Sequence, residues 1–343
     1  MRTELHEHPT GHHAGPATTA TAPRGRSGAA SVRPRRRAPG ALVACAAVAV
    51  ALLVVLHRDV PDAYGVGSLV ETVLPWLGVG VLLLGAAAVA SRSWTAVVAV
   101  AFAAGAWGWV CWPLAAPAPD GRGDLVVVQH NVADTNADLR GTAEALLAAD
   151  PDVVTLVEVT PAVAEVLTDL LAPALPHHAV RGTVGVWSRY PLTDVEGLDL
   201  RPAGAGATWE RGLRVVVDRP VGVDPRVYAV HAPSVRLAPR EGFTSAARDE
   251  TLRLLGDVLA ADPAPVLVVG GDLNATLLDR GLGPVLAEVV TPAGAFGGTF
   301  PAAVPLVRID HVLARGAEVT GLAVLARTGS DHRPVVAEVT FGS

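Results

Sequence analysis

The chain has 343 residues and a formal net charge of −6, and all 27 of its basic residues are arginines. Half of the residues are hydrophobic, but residues 41–116 are almost free of charge while residues 124–343 carry 17 arginines against 27 acids. This division excludes a wholly soluble chain, and the acidic balance of the second half argues against nucleic acid, whose binders present basic surface to phosphates. Both cysteines, Cys45 and Cys111, lie in apolar stretches, so the second half has no disulfide.

Residues 1–39 are rich in Pro, Gly, Ala, Thr and His without apolar periodicity, which predicts a disordered tail. Its histidines, His6, His8, His12 and His13, read as part of that solvated tail, which ends in Arg33-Pro-Arg-Arg-Arg37. Three apolar runs follow: Ala41 to Leu56, about Leu69 to Ala90 with Glu71 and Pro75 near its start, and Trp94 to Ala116. Trp107, Trp109 and Trp112 cluster towards the far end of the third, as interfacial tryptophans do. Residues 40–116 are therefore expected to form three transmembrane helices. A cleavable signal peptide is not expected, because three spans follow one another behind a long tail. The tail carries seven arginines and each short loop one. The positive-inside rule places the tail in the cytoplasm, and three crossings of the plasma membrane deliver the remainder to its outer side.

After a linker, 117–123, the stretch 124–341 reads as a catalytic-sized soluble domain. Leu125-Val-Val-Val-Gln129 is a buried strand ending in His130-Asn131, and leucines and alanines at helical spacing predict a helix from Leu139 to Ala149. The next strand, from Asp152, is apolar until it closes on Glu158, an acid that is costly there unless paired, hydrogen-bonded or bound to a metal. A helix is expected over about Ala162–Leu171, then short strands at Val184–Trp187, Leu213–Val217 and Arg226–Val230, the last running into His231. An amphipathic helix, Ser245–Leu259, precedes a β-branched strand, Val266–Val269, which turns at Gly270-Gly271 into Asp272 and Asn274. Leu306 to Leu313 alternates polar and apolar residues, and Ser330-Asp331-His332-Arg333-Pro334 leads into a final strand, Val335–Val339. Many strands, few helices and polar residues at strand ends predict two packed sheets with helices outside them.

In order, Gln129-His-Asn131, Val157-Glu158, Ser188-Arg-Tyr-Pro191, His231, Gly271-Asp-Leu-Asn274, Ile309-Asp-His311 and Ser330-Asp-His-Arg-Pro334 resemble the endonuclease/exonuclease/phosphatase superfamily of metal-dependent phosphoesterases. The resemblance covers residues 124–341. With the apolar anchor it is similar to the actinobacterial membrane-bound members associated with vancomycin and teicoplanin resistance. It implies an α+β fold, a four-layer α/β/β/α sandwich of the DNase I-like kind. It also implies Glu158 as the first metal ligand for Mg²⁺ or Mn²⁺, with Asp331 as a further metal contact. Asn131 and Asn274 would hold phosphate oxygens, and Asp272 would orient or activate the attacking water. His332, oriented by Asp310, would stand at the scissile phosphate as base or charge stabiliser, and His231 would assist the leaving group. Arg211 is a candidate substrate contact, whereas His311 and Arg189 read as structural.

Hydrolysing a phosphate ester needs a cation on the phosphoryl oxygens, a positioned water and help for the leaving oxygen, and hard carboxylate donors suit Mg²⁺ or Mn²⁺. Three spans make sense for an enzyme whose substrate is held in the membrane. The expected partner is a membrane lipid or lipid-linked phosphate, such as undecaprenyl pyrophosphate, with nucleic acid less favoured and no protein partner inferable. A surface-tethered Mg²⁺-dependent nuclease and a non-catalytic binding module on the same fold are the alternatives.

Overall fold

The computed structural model describes residues 38–116 and 123–342; the tail, its histidines and nearly all of the linker lie outside the described residues. The apolar half holds α1 (Ala38–Val55), α2 (Val66–Val73), α3 (Leu77–Ser91) and α4 (Trp94–Ala115). Three apolar segments thus lie where three transmembrane helices were expected, but only two, Ala63–Ser91 and Trp94–Ala115, are long and apolar enough to cross a membrane. The first is a shorter apolar helix, Pro39–Val55. The second is broken by a tight 3₁₀ turn at Leu74–Trp76, where Pro75 cannot continue the α-helix of α2. α1, α3 and α4 pack on one another around Ala47, Val81 and Ala103.

The second half runs β1 (Leu125–Asn131), α5 (Leu139–Leu147), β2 (Val153–Val157), α6 (Pro161–Leu171), β3 (His177–Arg181), β4 (Val184–Ser188), β5 (Leu192–Gly197), β6 (Gly212–Val217) and β7 (Arg226–His231). It continues with β8 (Leu237–Ala238), β9 (Gly242–Phe243), α7 (Ala246–Ala261), β10 (Leu267–Asp272), α8 (Gly283–Leu286), β11 (Asp310–Arg315), β12 (Ala317–Val324) and β13 (Val335–Phe341). One sheet has the order β12-β13-β1-β2-β4-β3 and the other β11-β10-β7-β6-β5. Alternation along the strands builds the layers. Val127, Val153, Val215, Ala229 and Val268 meet between the sheets. Their neighbours Val128 and Val154 face α5 and α6, and Leu267 and Val269 face α7. The result is the expected α/β/β/α sandwich, and Gly270 lets the sheets close, because a Cβ there would strike the Thr155 side chain.

α2 leaves the apolar bundle and docks on the second half. Glu71, which the sequence placed at the start of a membrane span, is fully buried and accepts from Arg280 Nε at 3.0 Å, Nη2 at 3.1 Å and the backbone N at 2.7 Å. Gly67 is required beside it, since a Cβ would overlap the Arg280 guanidinium. Ser68 donates to Asp279 Oδ1 at 3.4 Å, and Asp279 takes two bonds from Arg248, at 2.8 and 2.9 Å. Breaking a buried pair by removing one partner strands the other charge. Arg280→Ala should therefore lower stability by about 3 kcal/mol, read as the thermal midpoint in lipid nanodiscs. Arg253→Ala, which removes an exposed helical pair with Asp257, should cost under about 0.5 kcal/mol; equal shifts for the two would refute the docking role.

Candidate functional site

The strand order brings five strand ends to one edge of the sandwich. β7 and β11 flank β10, with His231 and Asp310 both paired to Asp272; in the other sheet β1 and β2 pair in parallel, so that Asn131 lies opposite Val157. The chain stops being apolar at these positions, so each strand delivers its polar terminus to the same cleft. Glu158 follows β2 with a φ of 61°, a left-handed conformation that a non-glycine residue adopts at a cost and that recurs at functional sites.

Asn131 is the hub of this cleft. Its amide nitrogen donates to Glu158 Oε1 and to Asp272 Oδ2, each at 3.0 Å, and its oxygen accepts from Ala133 N at 3.0 Å. Asp272 Oδ1 accepts from the backbone of Asn274 at 3.0 Å, while the Asn274 side chain donates to the Ala232 carbonyl at 3.0 Å. Asp310 is completely buried and bonds His332 Nδ1 at 2.8 Å and Gln129 Nε2 at 3.1 Å, with Gln129 held in turn by Thr155 at 3.0 Å. The Phe300 ring packs on His332, centroids 4.8 Å apart. The free ring nitrogen of His332 lies 3.8 Å from Asp272 Oδ2. His231 Nε2 lies 3.7 Å from Glu158 Oε1 and 3.9 Å from Asp272 Oδ2.

The two histidines are driven in opposite directions. Burial disfavours charge on His332, but the carboxylate of Asp310 outweighs it and lifts the ring to about 9. Burial, helped by the Arg211 guanidinium, pushes His231 down to about 3. Arg211 Nη1 faces His231 Nδ1 at 3.5 Å; a guanidinium only donates, so the neutral ring carries its proton on Nε2, towards the carboxylates. Burial and the neighbouring Asp310 raise Asp272 to about 7.

Glu158, Arg211, His231, Asp272, Asn274 and His332 line a cavity of about 510 Å³ together with Asp134, Thr160, Ser234 and Arg236. Asp331 is set apart from the carboxylate cluster: its side chain is exposed at the rim, because only alternate residues of Ser330-Asp331-His332 turn inward, and Ser330 and His332 are the buried ones. His311 turns away and bonds the Ala275 carbonyl at 2.8 Å. Arg211 reaches the cavity. Arg236 and Asp134 also line it and were missed. Nothing in Val235-Arg236 marks a site until the small β8–β9 hairpin folds it over the cavity, and Asp134 reads as a turn residue.

Among the described residues, Asp272, Asp310 and His332 have potential ligand atoms within 4.8 Å of one another. Asp310 and His332, however, are committed to each other through a charge-assisted hydrogen bond, and a protonated imidazole is no ligand. The oxygens left for a cation are those of Asp272 and Glu158, two carboxylates drawn together by one amide nitrogen. Carboxylates gathered so closely, one of them already raised to about 7, fit a hard divalent cation that would hold them ionised.

A family model described as the endonuclease/exonuclease/phosphatase family matches residues 121–332. Among solved structures the chain is similar to an endonuclease/exonuclease/phosphatase from Beutenbergia cavernae, at 24% identity over 65% of this chain and 72% of that one, with a TM-score of 0.51. It is also similar to an endonuclease/exonuclease/phosphatase family protein from Bacteroides thetaiotaomicron, at 17% identity over 65% of this chain and 100% of that one, TM-score 0.52. A third similar structure is SmcL, at 18% identity over 63% of this chain and 98% of that one, TM-score 0.50. These likenesses are of fold. No curated protein matches the chain.

Two outcomes are expected of the site. Adding Mg²⁺ to chelator-treated protein should stabilise it, by about 2.7 kcal/mol at a hundred-fold excess over Kd, and Glu158→Gln should abolish the rise in thermal midpoint; an equal rise in the variant would exclude Glu158 as a ligand. The raised pKa of His332 makes its pair with Asp310 stabilising below the unfolded value of 6.5, and that contribution is lost as pH rises through about 9. Asp310→Asn should flatten this pH dependence in denaturation curves of the metal-free protein.

Proposed function

The chain belongs to the endonuclease/exonuclease/phosphatase family, whose members are generally hydrolases of phosphate esters, and on that premise we propose that it is a membrane-anchored, metal-dependent phosphoesterase acting on a lipid-linked phosphate, above all a polyprenyl pyrophosphate. The observation that carries the reading is the join between the halves. Glu71 is buried against Arg280, and Asp279, bonded to Ser68 of α2, is tied through Arg248 to the Asn274 carbonyl at 3.1 Å. The loop behind Asn274 is thereby tied to α2 and through it to the apolar helices, which supports a substrate presented from a membrane.

Glu158 and Asp272 would hold Mg²⁺ or Mn²⁺, which when bound neutralises charge on the phosphoryl oxygens. Asp272 orients the attacking water and accepts its proton. The water oxygen bonds to the terminal phosphorus and the bridging P–O bond breaks, leaving inorganic phosphate and polyprenyl phosphate. Protonated His332 and the Asn274 amide oppose the charge that develops on the phosphoryl group. Neutral His231 directs an N–H towards the departing oxygen, and Arg211 and Arg236 draw the anionic headgroup into a cavity whose floor is acidic.

The placement in the membrane follows the same reading. Gly40, at the start of α1, abuts Ser93 at the start of α4, so α1 and α4 run the same way with α3 between them in the chain. Were the shorter α1 to cross together with the two longer helices, the two ends of the bundle would open on opposite faces, and the seven arginines of the tail favour the cytoplasm. The catalytic half would then face the outside of the cell.

The test offers undecaprenyl pyrophosphate and supercoiled DNA in parallel to the full chain with Mg²⁺ in lipid nanodiscs. Phosphate release from the lipid is expected, with His332→Ala and Glu158→Ala lowering kcat/KM by roughly 10²–10⁴-fold. Nicking of DNA without lipid turnover would replace the substrate with nucleic acid, and turnover of neither, nor of other phosphate esters, would leave a binding module.

A further inference from the structure

A second and larger cavity, about 630 Å³, lies between the apolar helices and the catalytic half. One wall is Val79 and Leu82 of α3 with Ala104 and Gly108 of α4; the other is the segment from Ala295 to Arg308. Its size is that of a ligand site and its lining is overwhelmingly apolar. Trp76 and Trp107 line it as well, Trp76 donating to the Leu306 carbonyl at 2.8 Å and Trp107 to the Pro75 carbonyl at 3.1 Å, so the polar edges of both indoles are tied down and their apolar faces are presented. Leu82, Phe296 and Leu306 are each about half exposed or more, which leaves an apolar mouth in the side of the molecule.

One residue in this lining is out of keeping with it. Arg308 is 6% exposed, its Nη2 is buried without a hydrogen-bond partner, and its Nη1 makes a single long bond to the Gly297 carbonyl at 3.5 Å. It forms no ion pair among the described residues. A buried guanidinium left in this condition is costly and calls for an anion. The wall that carries Arg308 also separates the two cavities. Leu306 and Val307 face the apolar one, their amides bonding the Phe300 carbonyl at 2.8 and 3.0 Å, while Phe300 and Ile309 face the catalytic one.

We infer that this cavity is a binding site for the hydrocarbon chain next to the phosphate of a membrane lipid ester, entered sideways from the bilayer, with Arg308 meeting the anionic headgroup at the wall shared with the catalytic cavity. The inference rests on the lipid-ester reading above and adds where the lipid enters and what selects it: an apolar chain and an anion together.

The experiment is photolabelling of the full chain in nanodiscs by a polyprenyl phosphate whose first isoprene units carry a diazirine, with labelled residues mapped by mass spectrometry. Labels are expected on α3, α4 and residues 295–308. Gly108 has open space where a Cβ would be built, so Gly108→Phe should fill the cavity and reduce labelling at least ten-fold, and Arg308→Gln should reduce it as well. Labels confined to other surfaces, undiminished labelling in both variants, or equal labelling by a diazirine phosphatidylcholine would overturn the inference. Labelling is read without turnover, so a correctly labelled protein that hydrolyses no lipid would refute the catalytic reading alone, and lipid hydrolysis without labels in the cavity would refute this one alone.

Discussion

Three carboxylates meet at one end of the sandwich, and their mutual repulsion is the constraint on which the site is built. Asp310 is neutralised by His332, and Glu158 and Asp272 share the amide of Asn131. The first device produces a fixed cation, the second a pair of oxygens that want one. Every other feature of the cleft follows from keeping these two apart but close. Gln129 takes the second oxygen of Asp310, the ring of Phe300 covers His332, and burial, helped by Arg211, keeps His231 neutral. Two histidines a few ångströms from the same aspartate thus hold different protonation states, because one has a carboxylate behind it and the other a guanidinium.

The same logic of one charge answering another joins the apolar helices to the sandwich. Glu71 in α2 would be untenable in hydrocarbon, and Arg280 gives it a polar partner outside the bundle. Beside that pair, Asp279 is shared between Ser68 of α2 and Arg248 of α7, and Arg248 also bonds the backbone of Asn274. A displacement of α2 is therefore felt two residues from Asp272.

Much of this was legible in the sequence because buried strands alternate and then stop on a polar residue. Glu158, His231 and Asp272 announce themselves as polar residues closing apolar strands, Asn131 closes a strand two residues after Gln129, Asp310 opens one, and the structure gathers all of them. The strands that escaped notice are those with little apolar signal. β3 begins His177-His178, and β5 is exposed along most of its length. The alternating stretch from Leu306 was expected to be strand throughout, but β11 begins only at Asp310, since Leu306 and Val307 are drawn into backbone bonds with Phe300. Asp331, between the buried Ser330 and His332, turns its side chain out to the rim of the cavity. The partnership of Glu71 with a residue some two hundred positions away leaves no local trace, and an apolar run with one acid in it reads as membrane until the partner is seen.

The docking of α2 also changes what kind of search the protein performs. An enzyme on a flexible tether explores a hemisphere above its anchor and meets substrate from any direction. Here the apolar helices are part of the fold, so on the proposed reading, with the helices in a bilayer, the cleft would travel at one height and in one orientation. Encounter with a lipid ester would then become a problem in two dimensions, set by lateral diffusion of protein and lipid. A molecule free in solution gains nothing from that confinement.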